Sequence, residues 1–166
     1  MQVRSLSAAD KAWVAERTEL LFGGTFLVSR DTVHDPTQLP GYIAVQDDER
    51  IGLLTYHPAG ETCEVVSIDA LCQYIGVGTA LLDAAEQAAR EAGCKSLWVI
   101  ITNDNLDALR FFQRRGFVIT DFRLDSLRNI RQLKPGIPLT GIHGIPIRDE
   151  IELSKSVTAG KGWRSV

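Results

Sequence analysis

Apolar residues return at helical spacing through Val77, Leu81, Ala84, Ala88 and Ala92, and Gly93 follows the last of them. That period marks one face of an α-helix, and the glycine is its stop. Upstream the pattern changes to short runs rich in strand formers, at 42–46, 50–56 and 62–70. Asp47-Asp48-Glu49 and His57-Pro58-Ala59-Gly60 separate them with good turn chemistry, so they read as an antiparallel meander. Downstream, 97–102 is a continuous apolar run suited to a strand covered on both faces. A short helix over 105–115 is closed by Gly116, 117–124 reads as another strand and 125–133 as a short helix.

The two ends are less regular. Residues 2–6 alternate weakly, as a short strand does, and Ser7 then opens a helix with Asp10 near its positive end. That helix should run to about Phe22, where Gly23-Gly24 stops it. The stretch 25–41, with Pro36 and Pro40, reads as a long loop or a broken second helix, and loops of that length are often functional. Residues 134–146 carry three prolines and three glycines and read as an extended loop, 147–157 as a final strand, and 158–166 as a disordered tail. The sum is an α+β chain with a mixed sheet, one domain over 1–157.

Composition narrows the classes. The net charge is −3 over 166 residues, and no run of Lys and Arg exceeds two, which gives no surface for nucleic acid. No apolar stretch nears the roughly 20 residues of a membrane span, and MQVRSLSAADK has no signal-peptide core. A cytoplasmic protein with no membrane partner is expected. Cys63, Cys72 and Cys94 are too few and too scattered for a zinc site, so no metal is expected. Cys72 could be a reactive thiol, although a small half-buried side chain is the plainer reading.

The chemistry points to 62–93, a strand, then Gln73-Tyr74-Ile75-Gly76-Val77-Gly78-Thr79, then the apolar-faced helix. Glycines at such a turn let the backbone approach a ligand. The first helical N–H groups lack internal partners and carry the positive end of the helix dipole, which together suit a pyrophosphate. A purely structural turn fits the same residues. A dinucleotide fingerprint fits less well, because its third glycine would fall on Leu81.

With these residues the chain resembles the GNAT acetyltransferases. Their [Gln/Arg]-x-x-Gly-x-[Gly/Ala] motif is matched by Gln73, Gly76 and Gly78. One strand later, Asn-x-x-Ala, an aromatic pair and Gly-Phe are matched by Asn105, Ala108, Phe111-Phe112 and Gly116-Phe117. The resemblance spans roughly 42–124. It implies a mostly antiparallel sheet flanked by helices, with a V-shaped opening between the strands at 62–70 and 96–102. Acetyl-CoA is the implied co-substrate: its pantetheine arm would pair with the backbone near Ile68 and Ala70. Its pyrophosphate would sit on the 73–79 amides, and Asn105, Ala108, Phe111 and Phe112 would line the arm. Asn105 can also cap its helix. The implied acceptor is a primary amine on a small molecule or a protein, and the resemblance allows a homodimer. A catalytically weak acyl-CoA sensor is the alternative.

Acetyl transfer needs a neutral amine, which a general base can supply for a factor of about 10²–10⁴. Glu64 is the candidate, since by simple alternation it shares a sheet face with Val66 and Ile68. An exposed strand-end carboxylate would look the same. His34, between Asp31 and Asp35, could line an acceptor pocket suited to a cation, or be a solvated loop residue. His57 and His143 read as turn residues. Phe112 departs from the family pattern, because many relatives place there a tyrosine that protonates the departing sulfur.

Overall fold

The computed structural model describes residues 1–72 and 75–158. Seven strands form the main sheet in the order β1-β4-β5-β6-β7-β9-β8: β1 (Gln2–Ser5), β4 (Gly41–Gln46), β5 (Glu49–Ala59), β6 (Thr62–Ala70), β7 (Ser96–Thr102), β8 (Val118–Arg123) and β9 (Glu150–Ser156). All neighbours are antiparallel except β6 and β7. This is the mixed α+β architecture expected, with the 49–59 strand longer than its sequence signal.

Helices α2 (Val77–Glu91) and α3 (Leu106–Gln113) cover one face. Leu81, Leu82, Ala85 and Ala89 of α2 and Phe112 of α3 are buried against Leu54, Cys63, Val65, Leu97, Val99 and Leu153. The 3.6-residue period thus lands on the apolar side of the strands, as the spacing predicts. Gly52 lets the helix come close, since a Cβ there would lie 2.4 Å from a methyl of Val77.

The opposite face carries α1 (Lys11–Phe22) and a small hairpin, β2 (Leu27–Ser29) with β3 (Thr32–His34). The hairpin corrects the reading of 25–41 as a loop or broken helix. Its strands have three residues each, too short to show a period, and Arg30 takes the left-handed turn position (φ 51°) that glycine or asparagine usually signals. Helix α4 (Ser126–Leu133) precedes the expected loop over 134–146, which holds one 3-10 turn at Ile142–Gly144. That loop is tied down: Asn103 Oδ1 accepts from the amides of Arg148 (2.9 Å) and Asp149 (3.0 Å), and Asp104 Oδ2 from that of Ile142 (3.0 Å). The expected tail lies outside the described residues beyond Thr158. No described helix is long and apolar enough to cross a membrane.

Two departures from regular alternation shape the sheet. On β6, Ser67 opposes Thr55 and Val65 opposes Tyr56, leaving Val66 as an extra, bulged residue. On the other side of β6, pairing with β7 covers only Thr62–Ser96, Cys63–Leu97 and Glu64–Trp98. Past Glu64 the two strands have no partners in each other, although both continue for several residues. A bulge bends its strand and ends local pairing, so Val66 marks where the sheet opens into a V.

The entry to α1 is fixed by one carboxylate. Asp10 is fully buried and accepts from Arg4 at 2.8 and 3.0 Å, from Arg50 at 3.2 Å, and from the amide and hydroxyl of Ser7 at 2.9 and 2.8 Å. Arg4 above all, with Ser7 and Arg50, holds its acidity far below the usual carboxylate range against the opposing effect of burial. A depressed folded-state value stabilises the protein above the unfolded value, about pH 4, and the contribution fades as pH falls. Asp10→Asn should therefore cost about 2–3 kcal/mol at pH 7. The gap from the parent should narrow progressively below about pH 4, as urea titrations from pH 7 downward would show.

Candidate functional site

The V opens toward the C-terminal ends of β6 and β7, and each strand there leads into a helix. Beyond β6 lie the turn and the start of α2. Gly76 caps α2 at φ +87°, a conformation L residues rarely adopt, and its carbonyl accepts from the Ala80 amide at 3.0 Å. The amides of Val77, Gly78 and Thr79 precede the first intrahelical bond and point out of the helix end. Gly78 has a packing reason as well: a Cβ would lie 3.0 Å from the Phe111 ring. The Val77 side chain is buried and Ile75 is exposed, so at Val77 only the backbone can face a ligand. Gln73 and Tyr74 lie outside the described residues.

Beyond β7, Asn105 Oδ1 accepts from the Ala108 amide at 3.1 Å, the expected cap of α3. Ala108 and Phe111 are half-buried beside the core. The guanidinium of Arg115 lies 3.7 Å above the Phe111 ring, donates to the Phe111 carbonyl (3.1 Å) and to the Thr79 hydroxyl, and has a buried Nε without a partner among the described residues. Arg115 thus adds a full positive charge to the partial charge at the start of α2. The sequence reading passed over it. Nothing local marks Arg115, which reaches Thr79 only through the turn that ends α3.

That turn is a Schellman motif. Gly116 has φ +86°, its amide donates to Gln113 O (3.0 Å), and the Phe117 amide donates to Phe112 O (3.2 Å). The accompanying apolar contact joins Phe112 and Phe117, with ring centroids 5.1 Å apart. Phe112 is 1% exposed, so its ring offers almost no surface to a ligand. The expectation that it lines the arm beside the sulfur is not carried by this placement, and the contact that closes α3 explains the ring.

At the apex of the V the face opposite α2 is polar. Glu64 is 4% exposed, which corrects the picture of a solvated strand end. The bulge also overturns simple alternation: Glu64 opposes His57 and Ile68 opposes Leu54, three residues apart on β5 and hence on opposite faces. Ile68 and Ala70 lie on the α2 side, while Glu64, Ser67 and Asp69 face α1 and the hairpin. Asp69 is bound by Arg17 (2.9 and 2.6 Å), and Ser67 shares a 2.7 Å hydrogen bond with Thr55. His34, also 4% exposed, places Nε2 3.1 Å from Glu64 Oε2, and the His57 ring lies 5.2 Å from that of His34. His34 is therefore not a solvated loop residue. Its acidic neighbour Asp35 instead caps a 3-10 turn by accepting from Thr37 N (2.9 Å) and Oγ1 (2.7 Å).

Further along this face Arg30 stacks over Trp98 at 3.9 Å and forks onto Glu152 at 3.1 and 2.8 Å, where Arg123 joins at 2.7 Å. Burial pushes Glu152 up, but the two guanidiniums outweigh it and keep the carboxyl below its ordinary value. Glu150, less well compensated, is raised by burial. On the apolar side burial pushes the Cys63 thiol up to about 12, which leaves it unreactive, whereas Cys72 is exposed.

Residues 7–117 match the family model described as the acetyltransferase (GNAT) family. The chain is 39% identical over 137 residues to YxbD of Bacillus subtilis, an uncharacterized protein, covering 82% of this chain and 86% of that one. YdhI of the same organism, also uncharacterized, is 40% identical over 121 residues, 72% and 76% of the two chains. Among solved structures, an IAA acetyltransferase from Bacillus cereus superposes with a TM-score of 0.73 at 21% identity, over 93% of this chain and 98% of its own. A GNAT family acetyltransferase from Elizabethkingia anophelis with acetyl-CoA bound gives 0.70 at 23% identity, over 93% and 97%.

A hydroxyl added at position 112 would enter an apolar cluster. Phe112→Tyr should therefore lower stability by about 1–3 kcal/mol in a urea titration, while changing kcat by less than about tenfold. A thousandfold gain in kcat would show instead that this position reaches the reacting sulfur.

Proposed function

Because the chain belongs to the GNAT acetyltransferase family, we propose that it transfers an acetyl group from acetyl-CoA to a primary amine by direct attack in a ternary complex. The observation that carries this reading is the V itself, with a buried carboxylate where its strands part. On the β7-facing edge of β6 past Glu64 the backbone groups lack ladder partners, which suits them to the pantetheine arm near Ile68 and Ala70. The amides of Gly76 to Thr79, with Arg115 beside them, suit the pyrophosphate, and Asn105 can keep its cap while its Nδ2 reaches the arm.

The steps then follow from charge. Glu64, directly or through a water, takes a proton from the acceptor ammonium, and the freed amine attacks the thioester carbon. A backbone amide in the open part of β6 can stabilise the oxyanion, worth about 3 kcal/mol for one well-placed donor. Holding both reactants in the V removes much of the entropic barrier. Collapse breaks the C–S bond. The thiolate is a tolerable leaving group, since a thiol ionises near about pH 8.5, and the ammonium formed in the attack can supply its proton. No acid is needed at position 112. The acceptor is a small-molecule amine or a protein amino group. If acetyl-CoA bound saturably but no thiol were released across a panel of amines, the lack of a hydroxyl at Phe112 would mark a sensor.

Glu64→Gln should lower kcat/KM by about a hundredfold near pH 7 and less at higher pH, where more of the amine is already neutral. Its affinity for acetyl-CoA should be unchanged. A variant pH profile that overlays the parent would place the base elsewhere. At the other end of the groove, Gly76→Val meets no protein atom within 4 Å of the new Cβ but occupies the ligand side of a strained position. Calorimetry should show its affinity for acetyl-CoA reduced tenfold or more, and a folded variant with parental affinity would remove the pyrophosphate from this turn.

A further inference from the structure

The hairpin contributes one side chain to the apex of the V, and it is a titratable one. His34 and Glu64 are both 4% exposed and 3.1 Å apart, brought together from elements 30 residues distant in the chain. A buried carboxylate without a donor is driven toward its neutral form, which cannot act as a base. We propose that His34 is a positioning residue for Glu64, donating Nε2–H to Oε2 so that the two take up the acceptor's proton as one unit. This rests on Glu64 being the base.

The balance is simple. An N–H bond of the acceptor ammonium breaks, an O–H bond forms on Glu64, and the pair passes from one negative charge to none while the amine keeps its electron pair. The surroundings favour that exchange. The half-buried His57 ring lies 5.2 Å from that of His34. Arg30, stacked over Trp98 beside Glu64, acts electrostatically on it but is itself held by Glu152. Asp69 is paired with Arg17, the hydroxyls of Thr55 and Ser67 with each other, and the Cys63 thiol stays neutral on the other face. Among the described residues, His34 is the donor recorded on the Glu64 carboxylate.

A base built from a carboxylate and an imidazole that share a proton depends on pH differently from a carboxylate acting alone. Glutamine at 34 can place an amide nitrogen near the imidazole Nε2 and donate without titrating. His34→Gln should keep the plateau of kcat/KM within about threefold and move its acid limb to lower pH by about one unit or more. The amine's own ionisation is common to both enzymes. His34→Leu, which removes the donor, should lower the plateau tenfold or more. Each variant is checked for parental circular dichroism and acetyl-CoA affinity, and if the leucine variant does not fold, the glutamine profile decides alone. A His34→Gln profile that superimposes on the parent, or a folded His34→Leu with parental plateau activity, overturns the proposal. Glu64→Gln separates the two layers. If it is silent, the assignment of the base fails and this inference with it; if it is impaired while His34→Gln is silent, only the role of His34 falls.

Discussion

Val66 is inserted into β6 where the strand still pairs with β5 on one side and has just stopped pairing with β7 on the other. A single unpaired residue accounts for both the bend and the reversal of side-chain direction. With regular alternation Glu64 would share a face with Ile68, on the side that α2 covers. The bulge turns it to the opposite face, where His34, His57 and Trp98 surround it. The same bend leaves backbone groups of β6 exposed along the V. Opening the groove and aiming the carboxylate are therefore one structural event.

The two faces of the sheet then divide the chemistry. On the helix side the strands are covered by α2 and α3, and at the open end of the V the described polar groups are the amides at the start of α2, the cap at Asn105 and the guanidinium of Arg115. The start of α2 and Arg115 together carry positive charge there. On the other side, three acids are met by basic side chains: Asp69 by Arg17, Glu152 by Arg30 and Arg123, and Glu64 by His34. The pairing at Glu152 uses a weakly hydrated, always charged guanidinium, whereas that at Glu64 uses an imidazole, which carries charge only when protonated. This difference sets Glu64 apart from Asp69 and Glu152.

Much of this was legible in the chain. The period through Val77, Leu81 and Ala88 gave α2 and its buried side, and Gly93 its end. The Asn105 cap and the contact of Phe112 with Phe117 across Gly116 could be read from helix-terminus chemistry, because these are local interactions with fixed spacing. What escaped was non-local or lacked a local signal. No glycine marks the bulge, since Val66 is an ordinary strand residue, so counting alternate positions put Glu64 on the wrong face. The hairpin was hidden by the brevity of its strands and by an arginine in the left-handed turn. Without the hairpin His34 looked solvated, and Arg115 could not be tied to Thr79 from sequence distance alone. For Phe112, the family position suggested a ligand contact, but the ring is buried against Phe117 in the cap that closes α3.

The order of strands also bears on how the molecule assembles. β9 lies between β7 and β8, so the edge of β7 and the whole of β8 wait for a partner made last. During synthesis the meander, α2 and β7 can gather around their shared core while the backbone edge of β7 that takes β9 is still unpaired. Only when residues 150–156 leave the ribosome can that edge be paired, with Leu153 closing the apolar side and Glu152 meeting Arg30 and Arg123 on the other. Pairings between distant segments are slow, and unpaired strand edges invite aggregation while they wait. Formation of the β9 pairings is thus the step that closes both edges, and loss of a few residues from β9 would leave two strands of the sheet without a bridge.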